Sequence, residues 1–406
     1  MNPALFKKSD FDDLVNSSEE FSCSKKDGFT VYSYHMAFAD TFESDNQYNK
    51  SVRLNARGIV FSDSGELLRL PFDKFFNLNE KACTQYNLLK NKEILWVHNK
   101  LDGTMIAPFI LNSEVIWGTK RVADGFSADV DACLKSKGLY EEYVNFVRYC
   151  ISCNYTPMFE YHNPDNPNTV IVLRYNESFL RLTAVRSMQT GDYVNIQFAD
   201  SNDETLNKMI NDFDNKVEEI KITSIQDIVD EMSDTEDLEG RVLMIKDMGL
   251  IKIKTPWYVV RHKIVELFEN KHILAQIVLD TSDVKYDDLL SILSDEDANK
   301  LNEFSIYIKE MINNFTSYIR EKANKYNSAS DYASSDDSKE YNEFNRCVFA
   351  LINNKHAYER LYNDVIAVIS KKAYKQLRFQ NFIEQYNKKF CIIRNANDAN
   401  NEKNTA

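Results

Sequence analysis

The 406-residue chain is short of the residues that break regular structure, with ten glycines and seven prolines. So thin a supply argues against long disordered or low-complexity tracts. A disulfide framework is also missing. Seven cysteines, an odd number scattered through a large chain, point to reduced thiols in a cytosolic compartment. Cys150-x-x-Cys153 has no second pair at suitable spacing, and His162 alone does not complete the four ligands that a zinc site takes. No uninterrupted apolar run approaches membrane length. Residues 1–18 are charged and lack an apolar h-region, so no signal peptide is expected. A basic excess is absent too: 49 Lys and Arg stand against 62 Asp and Glu, a formal net charge of −13. Any nucleic-acid contact must therefore come from local patches rather than the global field. That balance counts against a non-specific DNA coater and says little against an enzyme with a basic cleft.

What the chain does contain is organised around Lys100-Leu101-Asp102-Gly103-Thr104, set between the apolar runs 94–97 and 105–111. The context reads as strand, tight turn, strand, with Gly103 supplying a dihedral that other residues disfavour. A lysine held at such a turn can act as a covalent nucleophile once its pKa falls. Taken alone, the pentad is more often a solvated lysine beside an Asp-Gly turn. Downstream, Lys252-Ile253-Lys254 on a strand places two cations on one face and two isoleucines on the other. Two cations on one sheet face are a poor stability choice unless an anion lies between them, although an ordinary solvated face fits as well. Beside Lys100 they are expected to repel its proton, supplying part of the ~4 kcal/mol that brings an amine close to neutrality. Glu160 ends a buried-looking run and suits either ribose hydroxyls or a strand-end ion pair. Glu239 precedes Gly240, where a backbone can approach a ligand closely, and its carboxylate could hold Mg²⁺ directly or through water. Arg57 and Lys74, each next to a strand, could grip phosphates.

Along the chain, β-like runs occur at 29–34, 57–61, 94–97, 105–111, 115–120, 157–161, 170–185, 242–245 and 250–254. Helical periodicity falls at 128–150 and, in two segments, at 203–233. After Pro256 no alternating strand follows. Amphipathic stretches appear instead at 259–277, 285–294, 297–324, 341–354, 356–371 and 373–389, with a Ser/Asp-rich loop at 328–338. The fold class expected is α+β. A mainly β domain with inserted helices spans 1–256, an all-α domain spans 257–394, and a polar, Asn-rich tail at 395–406 is expected to be disordered.

The order Lys100-x-Asp-Gly-Thr, Phe159-Glu160, Glu239-Gly240, Lys252-Ile-Lys254 resembles the motif series of the lysine-adenylating nucleotidyltransferases. That superfamily includes DNA ligases, RNA ligases and capping enzymes. Ala56-Arg57-Gly58-Ile59-Val60-Phe61, Lys74-Phe-Phe-Asn-Leu-Asn-Glu80, Asn168-Thr-Val-Ile-Val-Leu173 and Lys252-Ile-Lys-x-x-Trp-Tyr258 narrow the likeness to the bacteriophage RNA ligase 1 family. The likeness covers about residues 30–262, and Thr104 stands where the family commonly has Ser. It implies an ATP-grasp-like nucleotidyltransferase domain of antiparallel sheets with helices, followed by a helical domain in place of an OB-fold. It further implies an ATP-dependent RNA ligase working through lysyl-AMP and RNA-adenylate, with Mg²⁺ as cofactor and Mn²⁺ able to substitute. Lys100 would be the nucleophile, and Lys252 and Lys254 would neutralise the α-phosphate. Arg57 and Lys74 would meet the outgoing phosphates, Asn99 and Lys120 would support the nucleotide, Glu160 would bond ribose, and Glu239 would order water on the metal.

The partner implied is RNA, specifically tRNA with a broken anticodon loop. The chain is taken as a monomer in the cytoplasm, that of an infected bacterial host if phage-encoded. Lys371, Lys372, Lys375, Arg378, Lys388 and Lys389 interleave with Tyr374, Phe379, Phe382, Tyr386 and Phe390, which suits RNA contacts. The same pattern is what a terminal helix shows when its aromatics are buried and its lysines solvated. Core packing and nucleotide contact remain equally open for Phe76. Related enzymes with another acceptor, a DNA ligase or a capping guanylyltransferase, compete with this reading, as does a catalytically silent RNA-binding relative. The missing C-terminal barrel speaks against the first and the intact motif residues against the second.

Overall fold

The computed structural model of the protein describes residues 6–121, 125–166, 172–221, 224–279, 289, 293, 295–354 and 358–391. The chain divides into two compact units, Met1–His262 and Lys263–Ala406. The first is built on three sheets. One is the meander β1 (Phe21–Lys26), β2 (Phe29–Tyr34), β3 (Arg57–Ser62), β4 (Leu67–Arg69), with every neighbouring pair antiparallel. Two further sheets draw on β5 (Phe76–Asn77), β6 (Ile94–Lys100), β7 (Thr104–Leu111), β8 (Glu114–Gly118), β9 (Tyr155–His162), β10 (Phe179–Ser187), β11 (Tyr193–Val194), β12 (Gly240–Ile245) and β13 (Gly249–Lys254). Their strand orders are β11-β10-β9-β7-β8 and β5-β13-β12-β6. Short β5 runs parallel to β13, a departure from an otherwise antiparallel architecture.

Alternation along the strands decides which face is core. In the β5-β13-β12-β6 sheet, Val97, Leu243, Ile245, Ile251 and Ile253 point to one side and pack on Ile225, Ile228 and Met232. Those three come from the helix Ile225–Asp234, which Ser224 caps by accepting from the Asp227 N–H. The opposite face, carrying Trp96, His98, Lys100, Val242, Lys252 and Lys254, is left for a cavity. The β11-β10-β9-β7-β8 sheet is covered by the helices Ser127–Ser136 and Tyr140–Ser152. The second of these buries Tyr143, Val144, Phe146, Val147 and Cys150, the spacing of one helical face. Each such side chain removed from water contributes roughly 1.5–3 kcal/mol. Gly138, at φ 69°, separates the two helices, so the helix expected over 128–150 is a broken pair.

In the second unit every described residue in regular structure is helical. The helix Asp295–Lys325 is its longest element, and Phe315 on it packs against Tyr341, Phe344, Phe382, Tyr386 and Phe390. Shorter helices follow at Asn345–Asn353, Leu361–Ala373 and Gln376–Tyr386. The Ser/Asp-rich stretch expected to be a loop contains a helical turn, Ala329–Ala333, because Ser328 caps it through the Asp331 N–H. The strand expected over 170–185 begins only at Phe179 among the described residues. Asn168–Ile171, most of the helix expected at 285–294 and the tail 395–406 lie outside the described residues.

Candidate active site

Lys100 ends β6 and Thr104 begins β7, yet the two strands belong to different sheets. The strand, turn, strand expected from sequence is present, and the turn is a crossing between two sheets. Gly103 is needed for another reason than its dihedral, since it does not take a left-handed conformation. A Cβ there would lie 2.6 Å from the Tyr161 carbonyl oxygen and 3.2 Å from Glu160 Cγ, so only glycine lets the crossing pass β9. Gly240 pairs with Lys100 on one side and Lys254 on the other. Its added Cβ would meet the Ile253 carbonyl at 2.0 Å. The close approach expected there for a ligand is made instead by a neighbouring strand.

This register brings the lysines together. Glu239, only 3 % exposed, offers Oε1 to Lys100 Nζ at 2.8 Å and to Lys254 Nζ at 2.9 Å. A cavity of about 180 Å³ opens beside them, lined among others by Arg57, Phe75, Lys100, Glu160, Lys252 and Lys254. Trp96 and His98 line the same cavity, and their rings stack 4.3 Å apart. His98 is 3 % exposed and its Nε2 has no hydrogen-bond partner. Burial pushes its pKa down to about 4, so the ring is neutral. Arg57 lies over the Phe72 and Phe75 rings with Nη1 buried and unpartnered. That is an orphaned cationic donor facing a cavity of cations, the arrangement an anion would satisfy.

The electrostatics correct one expectation outright. Burial lowers the Lys100 pKa, but the Glu239 and Glu160 carboxylates outweigh it and hold the amine above its ordinary value. The cation driven toward neutrality is Lys252, down to about 7 through burial and the charges of Lys74, Lys100 and Lys254. Same-face placement of Lys252 and Lys254 does hold, with Ile251 and Ile253 buried behind them. Glu160 is pushed up to about 8, mainly by lost solvation, against the pull of Lys100 and with the push of Glu239 and Asp102.

Lys120 and Lys74 are not among the residues lining that cavity; Lys120 Nζ sits 3.6 Å from the centre of the Tyr34 ring, and Lys74 Nζ lies 5.9 Å from it. Burial raises the Tyr34 phenol, yet Arg57, Lys120 and Lys74 together leave it below its usual value. Asn99 stands next to Lys100, but its side-chain oxygen accepts from Arg241 Nη1. Phe76 packs edge-on against Phe42, and Phe75 is the member of the pair that lines the cavity. In the second unit, Phe379, Phe382 and Tyr386 are core, whereas Tyr374 is 73 % exposed. Lys371, Lys372 and Arg378 line one groove there, with Lys372 paired to Glu343 at 2.9 Å. Lys375 forms the N-cap position of Gln376–Tyr386 without a side-chain cap bond.

Tyr34 and His98 were not singled out from sequence, and Asp102 and Tyr258 stood in the motifs quoted there with no role of their own. Asp102, 1 % exposed, accepts from the Val172 and Leu173 N–H groups through Oδ2, at 2.8 and 2.7 Å, and from the Tyr258 hydroxyl through Oδ1, at 2.8 Å. It ties the pentad to two distant segments, and its position two residues after Lys100 was the available signal. Tyr258→Phe leaves a buried carboxylate oxygen short of its donor, a loss of ~1–3 kcal/mol. Urea denaturation should show a lower midpoint and an unfolding free energy reduced by that amount, and an unchanged midpoint would mean the bond is dispensable.

Among the described residues no group of three His, Cys, Asp or Glu side chains is arranged to hold a metal ion, the Cys150/Cys153 pair included. Nor is any described helix long and apolar enough to cross a membrane.

Compared with known proteins, the chain matches the family described as RNA ligase over residues 55–258. A curated protein of Thermovibrio ammonificans named "Putative RNA ligase" is 25 % identical over 323 residues, 73 % of this chain and 80 % of its own length. Among solved structures, an archaeal ATP-dependent RNA ligase aligns at 15 % identity and a TM-score of 0.40, over 71 % of this chain and 74 % of that one. A Naegleria gruberi RNA ligase variant with ATP and Mn aligns at 14 % identity and a TM-score of 0.35, over 48 % of this chain. This chain spans 61 % of that ligase's length.

Proposed function

The chain belongs to the RNA ligase family, whose match covers half of its length, and from that premise we propose that it joins 5′-phosphate and 3′-hydroxyl RNA ends at the expense of ATP. The observation that carries the reading is the convergence of Lys100, Lys254 and Glu239 beside a cavity that Arg57, Glu160 and Lys252 also line. Lys100 Nζ attacks the α-phosphorus, the bond to pyrophosphate breaks, and lysyl-AMP forms. AMP then passes to the RNA 5′-phosphate, and the 3′-hydroxyl displaces it as the phosphodiester forms. Each step is displacement at phosphorus, so the protein works by positioning and charge neutralisation. The proton that Lys100 must shed has Glu239 Oε1, 2.8 Å away, as its nearest acceptor. Lys252 and Lys254 face the α-phosphate. Arg57, Lys74 and Lys120 serve the outgoing phosphates, and Glu160 hydrogen-bonds ribose. The stacked Trp96–His98 pair suits the base.

The donor set fits magnesium in one specific manner. One buried carboxylate, Glu239, is available without an all-protein cage, which matches an ion kept largely in phosphate oxygens and water. Glu239 would hold such an ion through water, and the ion would supply charge neutralisation at the α-phosphate.

We assign the chemistry to residues 1–256 and the choice of RNA, a tRNA with a broken anticodon loop, to 257–394. Supporting this, no described residue after Lys254 is in a strand that could build an OB barrel, and Lys371, Lys372 and Arg378 offer a cationic groove. The test is incubation with α-labelled ATP or GTP and Mg²⁺ on a denaturing gel, then sealing of a nicked tRNA and a plain oligonucleotide. ATP labelling with preference for nicked tRNA is expected. Labelling by GTP alone would point to capping chemistry, and DNA sealed in preference to RNA would point to a DNA ligase. Lys371→Glu with Arg378→Glu should leave self-adenylation intact and weaken tRNA sealing about tenfold at low salt, with the gap to the native chain narrowing as salt rises, because fewer phosphate contacts give a shallower salt dependence. Equal loss on tRNA and oligonucleotide would remove that surface from substrate choice.

A further inference from the structure

Arg69, the last residue of β4, is fully buried and pairs with no carboxylate among the described residues. Burial alone pushes its pKa down, to about 9, which still leaves it charged at neutral pH. An unpaired buried cation is expensive, and a core built only for stability would place an apolar side chain there. What the guanidinium does instead is hold three backbone carbonyls from three elements. Nε donates to Gly58 at 2.8 Å, Nη1 to Ala107 at 2.8 Å and Nη2 to Thr119 at 3.1 Å. Phe109 forms the wall beneath it, its ring centre 5.5 Å from the guanidinium carbon. The planar fork of arginine spreads its donors over three nitrogens and so spans three separate carbonyls, whereas the three donors of lysine radiate from a single nitrogen.

Two of the three carbonyls adjoin the phosphate-facing cations. Gly58 follows Arg57, and Thr119 precedes Lys120. The two backbones are also in contact, because a Cβ on Gly58, at φ +97°, would lie 3.0 Å from the Lys120 carbonyl oxygen and 3.1 Å from its Cα. Arg57 comes from the first sheet and Lys120 from the segment that follows β8, so nothing in local sequence fixes their separation. Arg57 keeps a buried, unpartnered Nη1 in the cavity wall, and Lys120 caps Tyr34.

We propose that Arg69 is a positioning residue for self-adenylation: its three carbonyl bonds lock Arg57 and Lys120 into one phosphate-binding unit. It touches no substrate and acts through the backbone of its two neighbours. The proposal rests on the ligase reading, and it makes a demand that mere structural support does not. Arg57 and Lys120 serve the triphosphate, so loosening them should damage the step that uses ATP and spare the sealing of RNA that already carries AMP at its 5′ end.

The experiment compares the native full-length chain with Arg69→Lys and Arg69→Met. Circular dichroism and the denaturation midpoint monitor folding. Rates are taken for lysyl-AMP formation over a range of ATP, and separately for sealing of pre-adenylated RNA. The expected result is a KM for ATP raised about tenfold or more in both variants, with sealing of pre-adenylated RNA within about threefold of native, since misplacement of about 1 Å can cost 10²-fold. A parallel fall in both reactions, no change in either, or failure of both variants to fold would each overturn the proposal and leave Arg69 a core residue. A native chain that seals no pre-adenylated RNA and takes no label from ATP would instead overturn the ligase reading itself, an outcome visible before any variant is compared.

Discussion

Lys100→Ala should abolish acid-labile AMP labelling while the chain stays folded. The fold is expected to survive because Glu239, deprived of Lys100, keeps Lys254 at 2.9 Å and is not left as an unpaired buried charge. No other described amine stands in the same position: Lys254 shares Glu239 but lies on β13, and Lys252 is directed toward Phe75 and Lys74. Sealing of pre-adenylated RNA should persist in the variant, since that reaction does not require the lysyl-phosphorus bond. In the native chain burial lowers the amine pKa, but Glu239 above all outweighs it and holds the amine protonated. Lysyl-AMP formation should accordingly accelerate with pH at saturating ATP, because only the neutral amine attacks. Mutant labelling equal to native would sink the assignment of Lys100.

Lys252→Ala should slow lysyl-AMP formation by ~10²-fold or more, the effect of losing a few kcal/mol of charge stabilisation in the transition state. This lysine also predicts a sign for nucleotide affinity. Its folded pKa is depressed to about 7, so the charge is present below that value and lost above it. A bound polyphosphate favours the charged form, so binding takes up a proton and affinity should fall as pH rises past 7. Lys252→Arg keeps its charge at every relevant pH and should flatten the profile. The measurement is the dissociation constant of a non-hydrolysable ATP analogue from pH 6 to 9. A native profile as flat as that of the arginine variant would show that Lys252 is not the titrating contact.

The chain by itself determined the α+β class, the change to helices after Pro256, and the two-by-two alternation that puts Lys252 and Lys254 opposite Ile251 and Ile253. These are local properties, set by side-chain period and by the backbone preferences of neighbouring residues, and they survive in any one-dimensional reading. Which residues meet was a different matter. The Glu239 carboxylate lies 139 positions from Lys100, and only the pairing of β12 with both β6 and β13 brings it to Oε1 contact with two lysines. That contact reversed the expected direction of the Lys100 pKa, because a proton's free energy depends on the nearest charges in space and not on the nearest in sequence. Arg69 left a faint mark, a lone cation in the run Leu67-Leu68-Arg69-Leu70-Pro71-Phe72. Its three acceptors come from residues 58, 107 and 119, which no spacing rule connects. The exposed Tyr374 and the buried Phe379, Phe382 and Tyr386 looked alike in the chain, all aromatics among basic residues. Packing around Phe315 separated them, since burial follows from what covers a side chain once the helices have closed.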